Sequence, residues 1–192
     1  MNTPAHLIFG LSAFAKADAP RVTAAAFAGA LIPDLSLYLL AGMHLVVLGT
    51  DPQVVFGQLY FSEGWQAVFR VDNSAVLWGM GLVFAIWARS AWAMALCGAA
   101  LLHLGLDFLF HHDDGRAHFW PLTTWIFQSP VSYWDTNHHA GIVGPIEIGL
   151  SLLCCGFLWH RFKGRPMRVL IVALGVLEAA PVFFWAFVFA GG

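Results

Sequence analysis

The amino-acid sequence predicts an all-α fold, a polytopic integral membrane bundle of five or six helices, on three observations. The 192 residues are 59% hydrophobic and only 10% charged. Their mean hydropathy is +0.73, whereas soluble domains are about half apolar and about a quarter charged. Apolar runs long enough for a bilayer recur along the chain, separated mostly by short polar stretches.

The first segment, AHLIFGLSAFA at 5–15, is apolar but short. It rises only about 20 Å against a hydrocarbon core of about 30 Å, so a half-inserted or re-entrant helix is expected. The surrounding MNTPAHLIFGLSAFAKADA imitates a signal peptide, with small residues flanking Lys16. It lacks a positive leading region, so it is read as retained. The second run, 22–49, carries Pro33 and Asp34 at mid-depth. Further spans are expected at 74–88, 91–112, 145–160 and 168–190, leaving long connections at 50–73 and 113–144. Nothing between them is Gly/Ser-rich enough to be a linker and no internal repeat is present, so residues 1–192 form one transmembrane domain.

Composition also excludes function classes. A net charge of −2 offers no basic face, so nucleic acid is not an expected partner. Cys97, Cys154 and Cys155 sit in apolar runs without metal-binding spacing and read as small buried hydrophobes. Of the nine basic residues, seven fall at 16–21, 89–90 and 161–168, which are alternate connections if six segments cross. Basic loops stay cytoplasmic, so both termini and both long connections are expected outside, in a bacterial inner membrane.

On that map the polar residues gather toward the outer half of the bundle. The stretch LLHLGLDFLFHHDD places His103, Asp107 and His111 at successive steps of four, stacked on one helical face. One turn is the spacing that lets an imidazole and a carboxylate reach one ion. The alternative is a buried His/Asp hydrogen bond, with His111 capping the span. Asp34, Asp107 and Glu147 lie in apolar runs, where a charge is expensive and must be paired, protonated or metal-bound. Pro33 removes a backbone hydrogen bond beside Asp34, which reads as a ligand, a general base or a partner for the freed backbone. His6 alone at a helix start reads as interfacial, and His44, His118 and His160 have no partner at useful spacing. The connection HFWPLTTWIFQSPVSYWDTNHHAGIVGPIE (118–147) reads as a lid or as an aromatic belt. Asp135, His138 and His139 could complete a site from above. Glu178, beside Pro181, reads as a kink-associated hydrogen-bonding residue.

These residues resemble the membrane-bound metal-dependent hydrolase family, SOS-regulated inner-membrane hydrolases distantly similar to zinc phospholipases. The resemblance rests on AHLIFG, GALIPD, HLGLD and HFWPL, and covers roughly residues 3 to 122. It implies metal-binding roles for His6, Asp34, His103 and Asp107. The chain departs from the family at FRVDNSAV (69–76), where Asn73-Ser74 stands for a His-Ser pair. Asparagine is a poor replacement for imidazole at a transition metal, and Asp72 is the residue that could compensate.

The expected function is therefore a membrane-embedded hydrolase dependent on a divalent metal ion, zinc or manganese. It would act on a membrane lipid, lipid-linked or phosphate-ester substrate at the outer face. Expected metal ligands are His6, Asp34, His103, Asp107, His111, His138 and His139, with Glu147 and Asp72 as candidate bases. The alternative is a non-enzymatic membrane subunit or assembly factor that binds a partner protein, a metal or a cofactor, or that self-associates. Ion transport through the acid and histidine column ranks third.

Overall fold

Helix α1 (Thr3–Phe14) starts with Pro4 in its first turn, where the missing N–H leaves no bond unmade. Its 12 residues rise only about 18 Å. Six of those residues are nevertheless buried, and the helix packs against α2 (Pro20–Gly42), α6 (Ala91–Phe110), α7 (Ala140–Arg161) and α8 (Arg165–Phe189). Ala5, His6, Ile8 and Leu11 are fully or almost fully buried. The short first segment is thus a central plug rather than a peripheral one. At its far end the Arg161 guanidinium donates to the Ala15 carbonyl at 2.8 Å, satisfying a group the helix leaves unbonded.

The protein is described here by a computed structural model covering residues 1–189, with side chains to residue 180. Among these residues the chain is helical, without strands. Helix α2 continues through Pro33 and ends in a π-helical turn, Met43–Val47. The connection expected at 50–73 contains short turns at α3 (Pro52–Val54) and Val55–Leu59, then helix α4 (Glu63–Asp72). Asn73 and Ser74 interrupt it before α5 (Ala75–Trp87), whose first turn is capped by the Ser74 hydroxyl accepting from Leu77 N–H at 3.0 Å. Helix α7 begins five residues before the run expected at 145 and carries Pro145 inside it, which leaves the Gly141 carbonyl without its i+4 partner. Residue 190 of the last expected span lies outside the described residues.

Four helical stretches are long and apolar enough to cross a membrane: Pro20–Val47, Glu63–Trp87 (α4 and α5 taken together across the Asn73–Ser74 break), Ala91–Phe110 and Ala140–Arg161. Their outward surface is apolar, with Leu153 72%, Val83 69% and Leu39 64% exposed. Exposed aliphatic side chains of this kind suit a lipid environment, where they carry no penalty.

Small residues hold the interior together. A Cβ built on Gly29 of α2 would fall 2.0 Å from the Leu96 carbonyl oxygen of α6. One on Gly10 of α1 would fall 2.7 Å from the Ala30 Cβ. Glycine at these two positions lets the backbones of α1, α2 and α6 meet, which is how helices associate in an apolar solvent. Leu7, Ile8, Leu11, Ala30, Ala99, Leu158 and Leu174 form the core around them.

Gly29→Ala is expected to destabilise the bundle by about 1–3 kcal/mol, because backbone rather than a side-chain tip must give way. Gly79→Ala, whose Cβ meets nothing within 4 Å, should be neutral. Thermal unfolding of the two variants in one detergent checks the contrast, and equal midpoints would contradict the packing.

Candidate functional site

Pro33 cannot donate to the carbonyl of Gly29, so α2 carries loosened backbone where α6 comes closest. Side chains from other helices bond the carbonyls on either side. The Ala30 carbonyl accepts from His103 Nδ1 at 2.8 Å. The Pro33 carbonyl accepts from the Asn73 amide at 3.0 Å. A carbonyl only accepts, so His103 carries its proton on Nδ1 and turns Nε2 toward the interior.

That nitrogen lies 3.0 Å from Asp107 Oδ2 and 3.6 Å from Asp34 Oδ1. The closer approach lacks the alignment of a hydrogen bond. A neutral His103 would set a lone pair against two carboxylates, so the arrangement calls for a cation between them, a proton or a metal. His6 completes the group: its Nε2 is 2.8 Å from Asp107 Oδ1, and its ring stacks on His103 with centroids 3.6 Å apart and planes 9° apart. Two imidazolium rings at that separation repel, so at most one of the two is charged. His6 Nδ1 is buried without a partner.

The donor atoms of His6, His103 and Asp107 lie within 4.8 Å of one another, and all three residues are buried. Tetrahedral ligands around zinc stand about 3.3 Å apart, so small side-chain movements suffice to close on an ion. Two imidazoles and a carboxylate suit zinc, manganese or iron. Hydrogen bonds behind the donors fix them, as metal sites require. His103 is held by Ala30, and the Asp34 Oδ2 accepts from the Thr3 hydroxyl at 2.5 Å, itself 2.6 Å from the Tyr38 hydroxyl.

His111 extends the cluster at the end of α6. Its Nε2 is 3.0 Å from Asp107 Oδ1 and its Nδ1 is 2.9 Å from Asp114 Oδ1. Burial opposes charge on His111, but the Asp107 and Asp114 carboxylates outweigh it and raise its pKa above the ordinary imidazole value. The Met1 amino group lies 3.0 Å from Asp107 Oδ1 and 2.8 Å from His111 Nε2.

A polar cavity of about 170 Å³ opens beside the cluster, lined in part by Asp34, Asp107, His111, Asn73, Arg116 and His118. Tyr38, Tyr60 and Tyr133 also border it. The connection after α6 builds much of this wall by folding back on the helix end, where Tyr133 N–H donates to the Phe110 carbonyl at 3.2 Å and Ser129 N–H to the His111 carbonyl at 3.0 Å.

The other expected residues lie elsewhere. His138 bonds Asp135 at 2.6 Å and stacks on His112 with centroids 3.6 Å apart. Asp135 already anchors the turn by accepting from Asn137 N–H at 2.9 Å, and it draws His138 to itself rather than to the cluster. His139 is exposed and occupies the residue before α7 with φ 67°. Asp72 accepts from the Asn73 amide at 2.8 Å and does not line the cavity. Glu147 is 3% exposed; its Oε1 accepts from Asn2 N–H at 2.7 Å, and its Oε2 has no partner. It borders a separate apolar cavity that also touches Met1. Glu178, expected to hydrogen-bond at a kink, is fully buried with both oxygens unpartnered among the described residues.

His118 and Arg116 enter the cavity although no spacing pointed to them. Both follow the irregular HHDDG turn, where helical periodicity carries no information; the density of polar residues there was the available signal. His118 Nδ1 donates to the Asn73 carbonyl at 3.1 Å. Burial lowers its pKa below the ordinary imidazole value, so it is neutral at pH 7.

The sign of the resulting pH dependence follows. As pH falls below about 6.5, the unfolded chain protonates this residue before the folded one does, and stability declines. His118→Gln should therefore lose less thermal stability between pH 7 and pH 5 than the unaltered protein. An identical pH dependence in the two would contradict a buried neutral His118.

In comparisons with known proteins, no family model, no curated protein and no solved structure matches this chain.

Proposed function

We propose that this chain is a membrane-embedded, metal-dependent hydrolase of the inner bacterial membrane, acting on a lipid-linked or phosphate-ester substrate from the outer side. One observation carries the reading: His6 from α1 and His103 and Asp107 from α6 bring buried donor atoms within 4.8 Å of one another beside a polar cavity. In this reading His6, His103 and Asp107 hold the ion, and Asp34 and His111 flank it. A bound divalent ion supplies Lewis-acid chemistry, polarising an ester oxygen and making water more acidic.

The chain's own groups do the rest. Ala30 orients His103, and Thr3 orients Asp34. Asp34 lines the cavity and is the carboxylate best placed to take a proton from water, while the bundle excludes bulk solvent behind it. Glu147 keeps an unpartnered oxygen next to Asn2 and is a reserve acceptor. The basic loops at 16–21, 89–90 and 161–168 support the proposed orientation, since α6 leaves Arg89 at one end and carries His103 to His111 toward the other.

A second reading has its own support. Asp107 Oδ1 is already within 3.0 Å of His6, His111 and the Met1 amino group, so the cluster could act as a charged clamp that joins α1 to α6 in a non-enzymatic subunit.

Elemental analysis of the detergent-purified protein after zinc or manganese loading separates the two. The hydrolase reading expects about one ion per chain, lost in His103→Ala, together with phosphate-ester hydrolysis that falls to background in the same variant. Equal metal content in both proteins would remove the proposed ligand set, and absence of metal from both would favour the clamp.

A further inference from the structure

Arg116 is a cation in the wall of the polar cavity that makes no close ion pair among the described residues. Its guanidinium lies over two aromatic rings, 4.2 Å from the centroid of Phe69 and 4.7 Å from that of Tyr60. These rings fix the guanidinium plane and strip water from its faces. Its Nη1 is buried without a hydrogen-bond partner. No carboxylate lies within 4.0 Å of it among the described residues: Asp114 pairs with His111, Asp107 with His6, His103 and His111, and Asp72, an acid close enough to feel its charge, accepts from the Asn73 amide.

A half-buried guanidinium with a buried, unpartnered donor nitrogen seeks an anion. The cavity it shares with Asp34 and Asp107 holds about 170 Å³, room for a group of a few heavy atoms and not for a whole lipid. Among the groups lining this space, Arg116 offers a fork, the Tyr38, Tyr60 and Tyr133 hydroxyls offer single donors, and Asp107 brings the candidate metal cluster to its wall. A carboxylate has two oxygens, and the fork would take both. A phosphate can give two oxygens to the fork and turn another toward an ion, and its charge is balanced only when both cations are present.

We infer that Arg116 is the phosphate-positioning residue of this cavity, so that the substrate class of the proposed hydrolase is a phosphate ester rather than a carboxylic ester or an amide. The inference rests on the metal-dependent reading for its reaction, but the anion site itself is measurable without turnover. The same phosphate could arrive on a lipid headgroup or on a soluble ester.

The experiment is isothermal titration of zinc-loaded protein with inorganic phosphate, with zinc counted on the same samples. Arg116→Gln is expected to weaken phosphate binding at least about tenfold at unchanged zinc content, and Arg116→Lys, which keeps charge without the fork, by less. Should Arg116→Gln fail to fold, the lysine variant decides. Phosphate affinity equal to that of the unaltered protein in the variants that fold would overturn the inference, as would no phosphate binding by zinc-loaded protein. Protein that takes up no zinc yet binds phosphate through Arg116 would remove the hydrolase reading and leave the anion site standing. A repeat in phosphatidylcholine nanodiscs, with and without phosphatidic acid, identifies the source. Competition by phosphatidic acid assigns the site to a lipid headgroup, and its absence assigns it to a soluble phosphate ester.

Discussion

Burial of Asp107 is the constraint on which the arrangement of the helices depends. A carboxylate in the apolar interior of a bundle is tolerated only when cationic or donor groups surround it. Two of those groups flank it along its own helix, His103 a turn before and His111 at the helix end, and the third, His6, comes from α1, 101 residues away in the chain. Satisfying one acid therefore fixes the depth and rotation of α1 against α6. The same requirement explains why a helix too short to span a bilayer sits at the centre of the molecule.

Close backbone approach makes that geometry reachable. Gly10 and Gly29 bring α1, α2 and α6 together, and the proline turn of α2 offers carbonyls that His103 and Asn73 bond. Pro33 thus has a role beyond bending a helix, since the backbone it disturbs orients an imidazole. Asn73 is a tie between α2 and the break before α5. Its amide donors are used on Pro33 and Asp72, so it holds the wall of the cavity in place.

Much of this was legible in the sequence where periodicity governs. The apolar runs marked the long helices, and the spacing of four marked His103, Asp107 and His111 as one face. Asp34 was recognisable from the cost of a charge in an apolar run. His6 was marked only by the resemblance, because its pairing depends on how α1 sits against α6, which no local pattern reports. Helix α4 was read as connection because its sequence, EGWQAVFRVD, is too polar for a span and too short to stand out. Arg116 and His118 follow an irregular turn, so only three-dimensional closure brings them to the cavity. His138 and His139 drew notice as a pair, yet a local turn built on Asp135 commits His138 to a neighbour three residues away.

The most direct test of the account is X-ray absorption spectroscopy on zinc-loaded protein, which reads the ligands rather than the amount of metal. The account predicts a nitrogen and oxygen shell at about 2.0–2.1 Å with the multiple-scattering pattern of two imidazoles, falling to one in His6→Ala. A spectrum without imidazole scattering, or one unchanged by that substitution, would contradict the claim that α1 and α6 meet to hold an ion.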